Sequence, residues 1–212
     1  MIFWMMIATM VSAEPPDGWD LVGVTDGVEV SRRMVPNSNL FAFRGEAVSS
    51  VPVSLLSSLI LNDPLGPEWV DLMNASKELQ RYDQYTKLIY QGYDLPWPIQ
   101  DRDYVMKQIA SYDQEQQIFT ATFQSVEDAL MPEQECCIRA MAYRTFWHLE
   151  ALPSGQTKII VEVNTDPRGS LPGWLVNLIQ EDWPHKTINA LLKRVNDGDI
   201  ERDPFNSNWQ KG

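Results

Sequence analysis

Apolar and polar side chains alternate along Gly27-Val-Glu-Val-Ser-Arg-Arg33 and again along Leu40-Phe-Ala-Phe-Arg-Gly-Glu-Ala-Val48, the period of a half-buried strand. Pro36-Asn-Ser-Asn39 between them is turn chemistry, so the two segments predict a hairpin. Pro52 then leads into Val53-Ser-Leu-Leu-Ser-Ser-Leu-Ile-Leu61, whose spacing is helical with proline in the first turn. Asn62–Pro67 stops that helix, and Glu68–Met73 reads as a short helical turn. Strand patterning returns from Ser76 to about Thr165, where six segments are expected: Ser76–Gln84, Tyr85–Tyr93, Tyr104–Tyr112, Gln117–Ser125, Cys136–Leu149 and Thr157–Val163. Beyond Gly173 the period changes to that of one long amphipathic helix, Trp174–Val195, bent near Pro184. A long antiparallel meander with one terminal helix is an α+β arrangement. Such a sheet curls because strands twist, and a helix across its mouth can enclose a cavity for a small apolar ligand. With no repeat, linker or low-complexity tract, residues 14–205 read as one domain and 206–212 as a frayed tail.

Charge narrows the partners. A formal net charge of −12 leaves no basic stripe to replace the counterions of a nucleic acid. The same charge repels the chain from anionic bilayers at long range and leaves neutral membranes open to it. Eight Trp and seven Tyr suit a ligand cavity lined by large amphipathic rings. Residues 1–13 carry no charged side chain and end in Val11-Ser12-Ala13, small residues in the pattern of a secretory cleavage site. The run is shorter than the about 20 apolar residues a membrane span needs. It reads as a signal peptide removed before Glu14, which predicts a secreted or periplasmic protein. Without cleavage it is an apolar segment that packs or anchors on a cytoplasmic protein. Cys136 and Cys137 are adjacent; in a strand they would point to opposite faces, and no Cys or His stands close in sequence to complete a metal site. They read as two small thiols, and no cofactor is implied.

Four segments carry a family likeness. Pro96-Trp-Pro98 is followed by Arg102-Asp-Tyr-Val105, and Met131-Pro-Glu133 precedes Ile138-Arg139. Asp166-Pro-Arg-Gly-Ser-Leu-Pro-Gly-Trp-Leu-Val-Asn177 opens the terminal helix, and Trp69 lies in Glu68-Trp-Val-Asp71. In this order, and on these elements, they resemble the motifs of START domains, the StAR-related lipid-transfer modules of the helix-grip (START/Bet v 1-like) fold. The resemblance implies a long curled antiparallel sheet around a C-terminal α-helix, with one lipid in a tunnel between them. It also implies that the helix and its preceding loop move to admit ligand, and Gly169 and Gly173 give that loop backbone freedom. The phosphatidylcholine-transfer branch is the most similar, and the cholesterol-transfer branch shares Met131-Pro-Glu133.

In the phosphatidylcholine branch the positions matching Tyr104 and Tyr143 contact the head group. Strand alternation from them then places Met106, Gln108, Met141, Thr145 and Tyr93 inward, while Leu175, Leu178 and Ile179 lie on the helix face that closes the tunnel. Arg139 falls on the side of Tyr143, where it needs a carboxylate partner or an anionic ligand head. The branch holds phosphate and choline with an Arg and an Asp; Gly66 and Val70 stand there instead, with Asp71 one residue away. The Glu and Arg of the sterol branch align with Ile89 and Gln108. Neither head-group arrangement carries over. Two chemistries remain. Tyr93, Tyr104 and Tyr143 form either a cage for a quaternary ammonium or hydrogen-bonding partners in a wet cavity. Gln108 and Thr145 could instead bind a sterol-type hydroxyl at about 1 kcal/mol per hydrogen bond, burial of the apolar body adding about 25 cal/mol per Å². Arg102 and Asp103 read as locks on the proline-rich turn, and His148 and His185 as structural or exposed. The expected function is non-catalytic: a monomer that binds one lipid or sterol-like small molecule and moves it between membranes through transient contact. The alternative implied by the fold is a polyketide cyclase or aromatase acting in the same cavity, although no nucleophile elbow, phosphate loop or metal spacing is present.

Overall fold

The computed structural model describes residues 18–200; the expected signal peptide, 1–13, and tail, 206–212, lie outside the described residues. Strands β1 (Asp20–Thr25), β2 (Val28–Met34) and β3 (Phe41–Ser49) come first, followed by helices α1 (Val53–Leu61) and α2 (Gly66–Trp69). Then come β4 (Met73–Arg81), β5 (Thr86–Tyr93), β6 (Arg102–Asp113), β7 (Ile118–Ser125), β8 (Ile138–Arg139), β9 (Met141–Ala151) and β10 (Thr157–Asp166). Helix α3 (Gly173–Val195) ends the fold. The strands form one sheet in the order β1-β2-β3-β10-β9-β7-β6-β5-β4, paired antiparallel along that path. Two-residue β8 pairs in parallel with the start of β6.

Inward residues of the sheet make the core with α1 and α3. Phe43, Phe119, Leu149, Ile159 and Val161 from the strands are fully buried, as are Leu56 and Leu59 of α1 and Ile188 and Leu191 of α3. Each such side chain contributes about 1.5–3 kcal/mol through burial. A smaller cluster, Leu88, Tyr90 and Val105, is capped by Val126 and Met131. That second cap is why β5 reads as a continuous apolar run, with Leu88, Ile89 and Tyr90 buried on both faces.

Helix α3 seats on the sheet at Gly45. A Cβ there would lie 2.8 Å from Cβ of Pro184, 3.2 Å from Cδ1 of Ile188 and 3.3 Å from Cγ1 of Val28. Gly45→Val is therefore expected to lift the helix and cost about 1–3 kcal/mol, the usual range for overpacking. A fall in the urea midpoint at unchanged m-value would show it.

The structure corrects several boundaries. β1 was not expected; it joins β2 through Asp26-Gly27, both with positive φ, a two-residue hairpin turn. The helical turn sits at Gly66–Trp69 rather than Glu68–Met73, and β4 starts three residues before Ser76. The expected strand Cys136–Leu149 divides into β8 and β9, leaving the cysteines in a turn. There they are joined by a disulfide, contrary to the two-thiol reading. That reading assumed the opposite-face alternation of a strand, which a turn does not impose.

Candidate ligand cavity

Two buried arginine sites fix the frame. The Trp97–Pro98 bond is cis, and β6 starts four residues later. Arg102 donates from Nε to the carbonyl oxygen of Pro167 (2.7 Å), from Nη2 to that of Arg168 (3.2 Å), and from Nη1 to that of Gln100. One side chain thus ties the proline turn to the loop entering α3. Burial lowers its pKa from the usual arginine value. Asp103, fully buried, accepts Arg139 at both oxygens, 2.9 and 3.0 Å, and Arg139 also donates to the carbonyls of Met131 and Pro132. The hydrogen bonds from Arg139 to Asp103 hold its pKa above the usual value. This pair pins the loop between β7 and β8 to the start of β6.

Between sheet, α1–α2 and α3 lies a cavity of about 470 Å³. Its walls are mostly apolar: Leu59, Trp69, Met106, Phe123, Trp147, Val163, Val176 and Trp183 among others. Of the residues expected to face it, Tyr93, Tyr104, Met106, Thr145, Leu178 and Ile179 line it. Tyr93 and Tyr104 meet edge-on, ring centroids 5.6 Å apart. The Tyr93 hydroxyl donates to Oε1 of Gln91 at 3.0 Å, and Tyr104 hydrogen-bonds Thr165. Burial pushes the Tyr104 hydroxyl up to about 12 and raises Tyr93 further, so both phenols are neutral in the cavity.

Gln108, Arg139, Met141, Tyr143 and Leu175 do not line the cavity. For Met141 and Tyr143 the cause is a bulge. Val163 pairs with Thr145 and Asn164 with Arg144, but Thr165 pairs with Ala142, so Tyr143 is the extra residue on β9. The bulge shifts the alternation by one: Ala142, Thr145 and Trp147 face in, and Tyr143 is 49% exposed. The three-tyrosine cage is therefore not assembled. Arg139 is spent on Asp103 on the far side of the sheet, beside the capped cluster of Tyr90 and Val105. Gln108 is buried beyond the cavity, paired across β5–β6 with Lys87. Leu175 lies one position off the inward stripe Val176–Ile179–Trp183–Thr187.

Other polar groups at the cavity were not anticipated. Asp63 lines it and receives Nζ of Lys87 at 2.5 Å, while the same Nζ donates to the carbonyl of Leu61 at 2.8 Å. Burial raises the Asp63 pKa above the ordinary carboxylate value despite that partner. Nε1 of Trp69, Oγ of Ser76, Oε1 of Gln180 and Oγ1 of Thr187 are buried in the lining without a hydrogen-bond partner among the described residues. The helix pair had a signal, since Gln180 and Thr187 are seven residues apart and share a face.

A family model described as START domain matches residues 11–197. The chain belongs to the START family. This START domain is 26% identical over 175 residues to an uncharacterised protein of Pseudomonas aeruginosa, covering 82% of this chain and 85% of that one. It is 24% identical over 165 residues to the phosphatidylcholine transfer protein of Homo sapiens, 75% of each chain. Human StAR-related lipid transfer protein 5 superposes with a TM-score of 0.80 at 19% identity, covering 86% of this chain and 88% of that one. The long curled sheet around a C-terminal helix is thus the helix-grip fold. At Gly66 a Cβ would lie 2.8 Å from Sδ of Met73 and 3.1 Å from Cβ of Ser76, so these two side chains pack directly against the bare backbone there.

Proposed function

We propose that this START domain binds one lipid or similar hydrophobic molecule in the cavity under α3 and carries it between membranes without chemical turnover. The observation that carries the reading is the cavity itself: mostly apolar walls and a volume within the roughly 300–1,000 Å³ of small-molecule sites, with four buried polar atoms in the lining that bond no other described residue. A run of exposed apolar residues supports brief membrane contact. Trp174 is 69% exposed on the first turn of α3, Leu178 and Ile179 follow it at the cavity, and Trp97 is 92% exposed on the proline turn that Arg102 ties to the same helix. The apolar residues 1–13 support an extracytoplasmic location, for which the mature chain begins at Glu14.

Native mass spectrometry of protein purified from its own cells is expected to show one bound lipid per chain. Vesicle-to-vesicle transfer of that lipid should then accelerate in proportion to protein concentration. A protein that stays empty after incubation with vesicles of its own cells' lipids sinks the proposal.

A further inference from the structure

We infer that the cavity recognises an uncharged, hydroxyl-bearing head group, held at the α2 end by Trp69, Ser76 and Thr187. The inference rests on the reading of this cavity as the lipid site. Trp69 ends α2, Ser76 is in β4, and Thr187 is on α3, where the stretch Lys186–Ala190 runs beside Pro67–Met73. Ser76 packs where Gly66 leaves space for it. Thr187 is 2% exposed. Its Oγ1, Oγ of Ser76 and Nε1 of Trp69 all lack partners among the described residues. An indole N–H only donates, whereas a hydroxyl donates and accepts. Together they fit a ligand group that does both, and a hydroxyl is the smallest.

Charge at this end is already balanced. Asp63 and Lys87 are each 4% exposed at the side chain and bonded to each other. A phosphate, carboxylate or quaternary ammonium placed there would be a buried ion without a counterion, which is costly. Arg102 is the buried cation on the cavity wall without a carboxylate bond, but it donates to three backbone carbonyls at the loop before α3. About 21 Å of helix separates Gly173, at the end of that loop, from Thr187, at 1.5 Å per residue. Asp71, Asp182 and Lys186 also line the cavity, but they are exposed, and Lys186 pairs with Asp182.

Equilibrium dialysis of the full chain against four probes tests this: monopalmitoylglycerol, cholesterol, palmitate and palmitoyl-lysophosphatidylcholine. At least one of the two hydroxyl probes is expected to bind tenfold or more tighter than palmitate and the lysophospholipid, and which one it is separates acylglycerol from sterol. Thr187→Val should reduce that preference about threefold to tenfold, the loss of one hydrogen bond, and Thr187→Ser should keep it. The melting temperature of empty Thr187→Val should not fall, because the hydroxyl has no partner to lose. Preference for palmitate or the lysophospholipid overturns the inference while leaving the lipid-site reading intact. A Thr187→Val protein that melts lower with unaltered selectivity also overturns it. Failure of all four probes to bind a protein that still loads from vesicles of its own cells' lipids overturns the inference alone, and failure of both loadings sinks the lipid-site reading with it.

Discussion

Lys87→Met is expected to destabilise the protein by about 3–5 kcal/mol, the cost of leaving one member of a buried ion pair alone. For a domain of this length that is a fall in melting temperature of about 6–20 °C. Both side chains are 4% exposed, and Lys87 also holds the carbonyl of Leu61 at the end of α1, so its loss frees two acceptors at once. The pH dependence gives a second signature. Burial raises the Asp63 pKa and the charge of Lys87 lowers it; without the lysine it rises further. A carboxyl whose folded pKa is raised contributes stability that is fully present below its unfolded value, near 3.8, and lost as pH rises through the folded value. The deficit of Lys87→Met should therefore shrink as pH falls from 7 towards about 4. Adding Asp63→Leu should recover much of the loss at neutral pH, since paired apolar replacements are tolerated where single ones are not. Urea unfolding at several pH values reads all three. A deficit below about 1 kcal/mol, or one independent of pH, would mean that water reaches the pair.

The elements most legible in the sequence were those whose neighbours share their periodicity. Strands β2, β3, β5, β6 and β7, helix α1 and the long helix α3 fell close to their expected bounds, because period two and period 3.6 each repeat there over several turns or pleats. β1 has weak alternation, and its burial is slight, yet Asp26-Gly27 carried a hairpin signal that turn chemistry alone announces. The site was legible only as far as alternation stayed in register. On β6, Tyr104 and Met106 were placed correctly from the Arg102-Asp103 frame. On β9 the extra residue at Tyr143 exchanged the two faces, and a bulge leaves no mark in a single sequence when both flanking residues suit a strand. Gln108 shows a different limit. Its direction was right, but where the cavity ends along a strand is decided by packing from other elements, here beside Lys87, which reaches Asp63. Arg139 was expected to need either a carboxylate or an anionic ligand head, and Asp103 settles the choice across the parallel β6–β8 pairing, a contact between residues 36 apart.

Stapling the N-terminus of α3 to the β2–β3 loop is expected to slow ligand exchange at least tenfold. A Cβ built on Gly173 lies 3.7 Å from Cβ of Asn39, inside the roughly 3.5–4.5 Å a disulfide requires, so Asn39→Cys with Gly173→Cys should oxidise readily. In the native protein this junction is held by hydrogen bonds. Asn177 donates to the carbonyl of Asn39 at 3.0 Å and accepts the Phe41 N–H at 3.0 Å, each contributing about 0.5–1.5 kcal/mol net. Contacts of that size break on the timescale of lid motions, while a disulfide does not. Leu178 and Ile179, about one turn into the helix, are exposed apolar parts of the cavity wall, so a hinge at Gly169–Gly173 would swing them away from it. Uptake of a fluorescent lipid from vesicles should be slow in the oxidised variant and return to the wild-type rate under dithiothreitol. Wild type carried through the same oxidation and reduction controls for its own Cys136–Cys137 bridge. If the oxidised variant exchanges as fast as wild type, the start of α3 is not the gate, and entry runs past the other exposed wall at Leu72 beside α2.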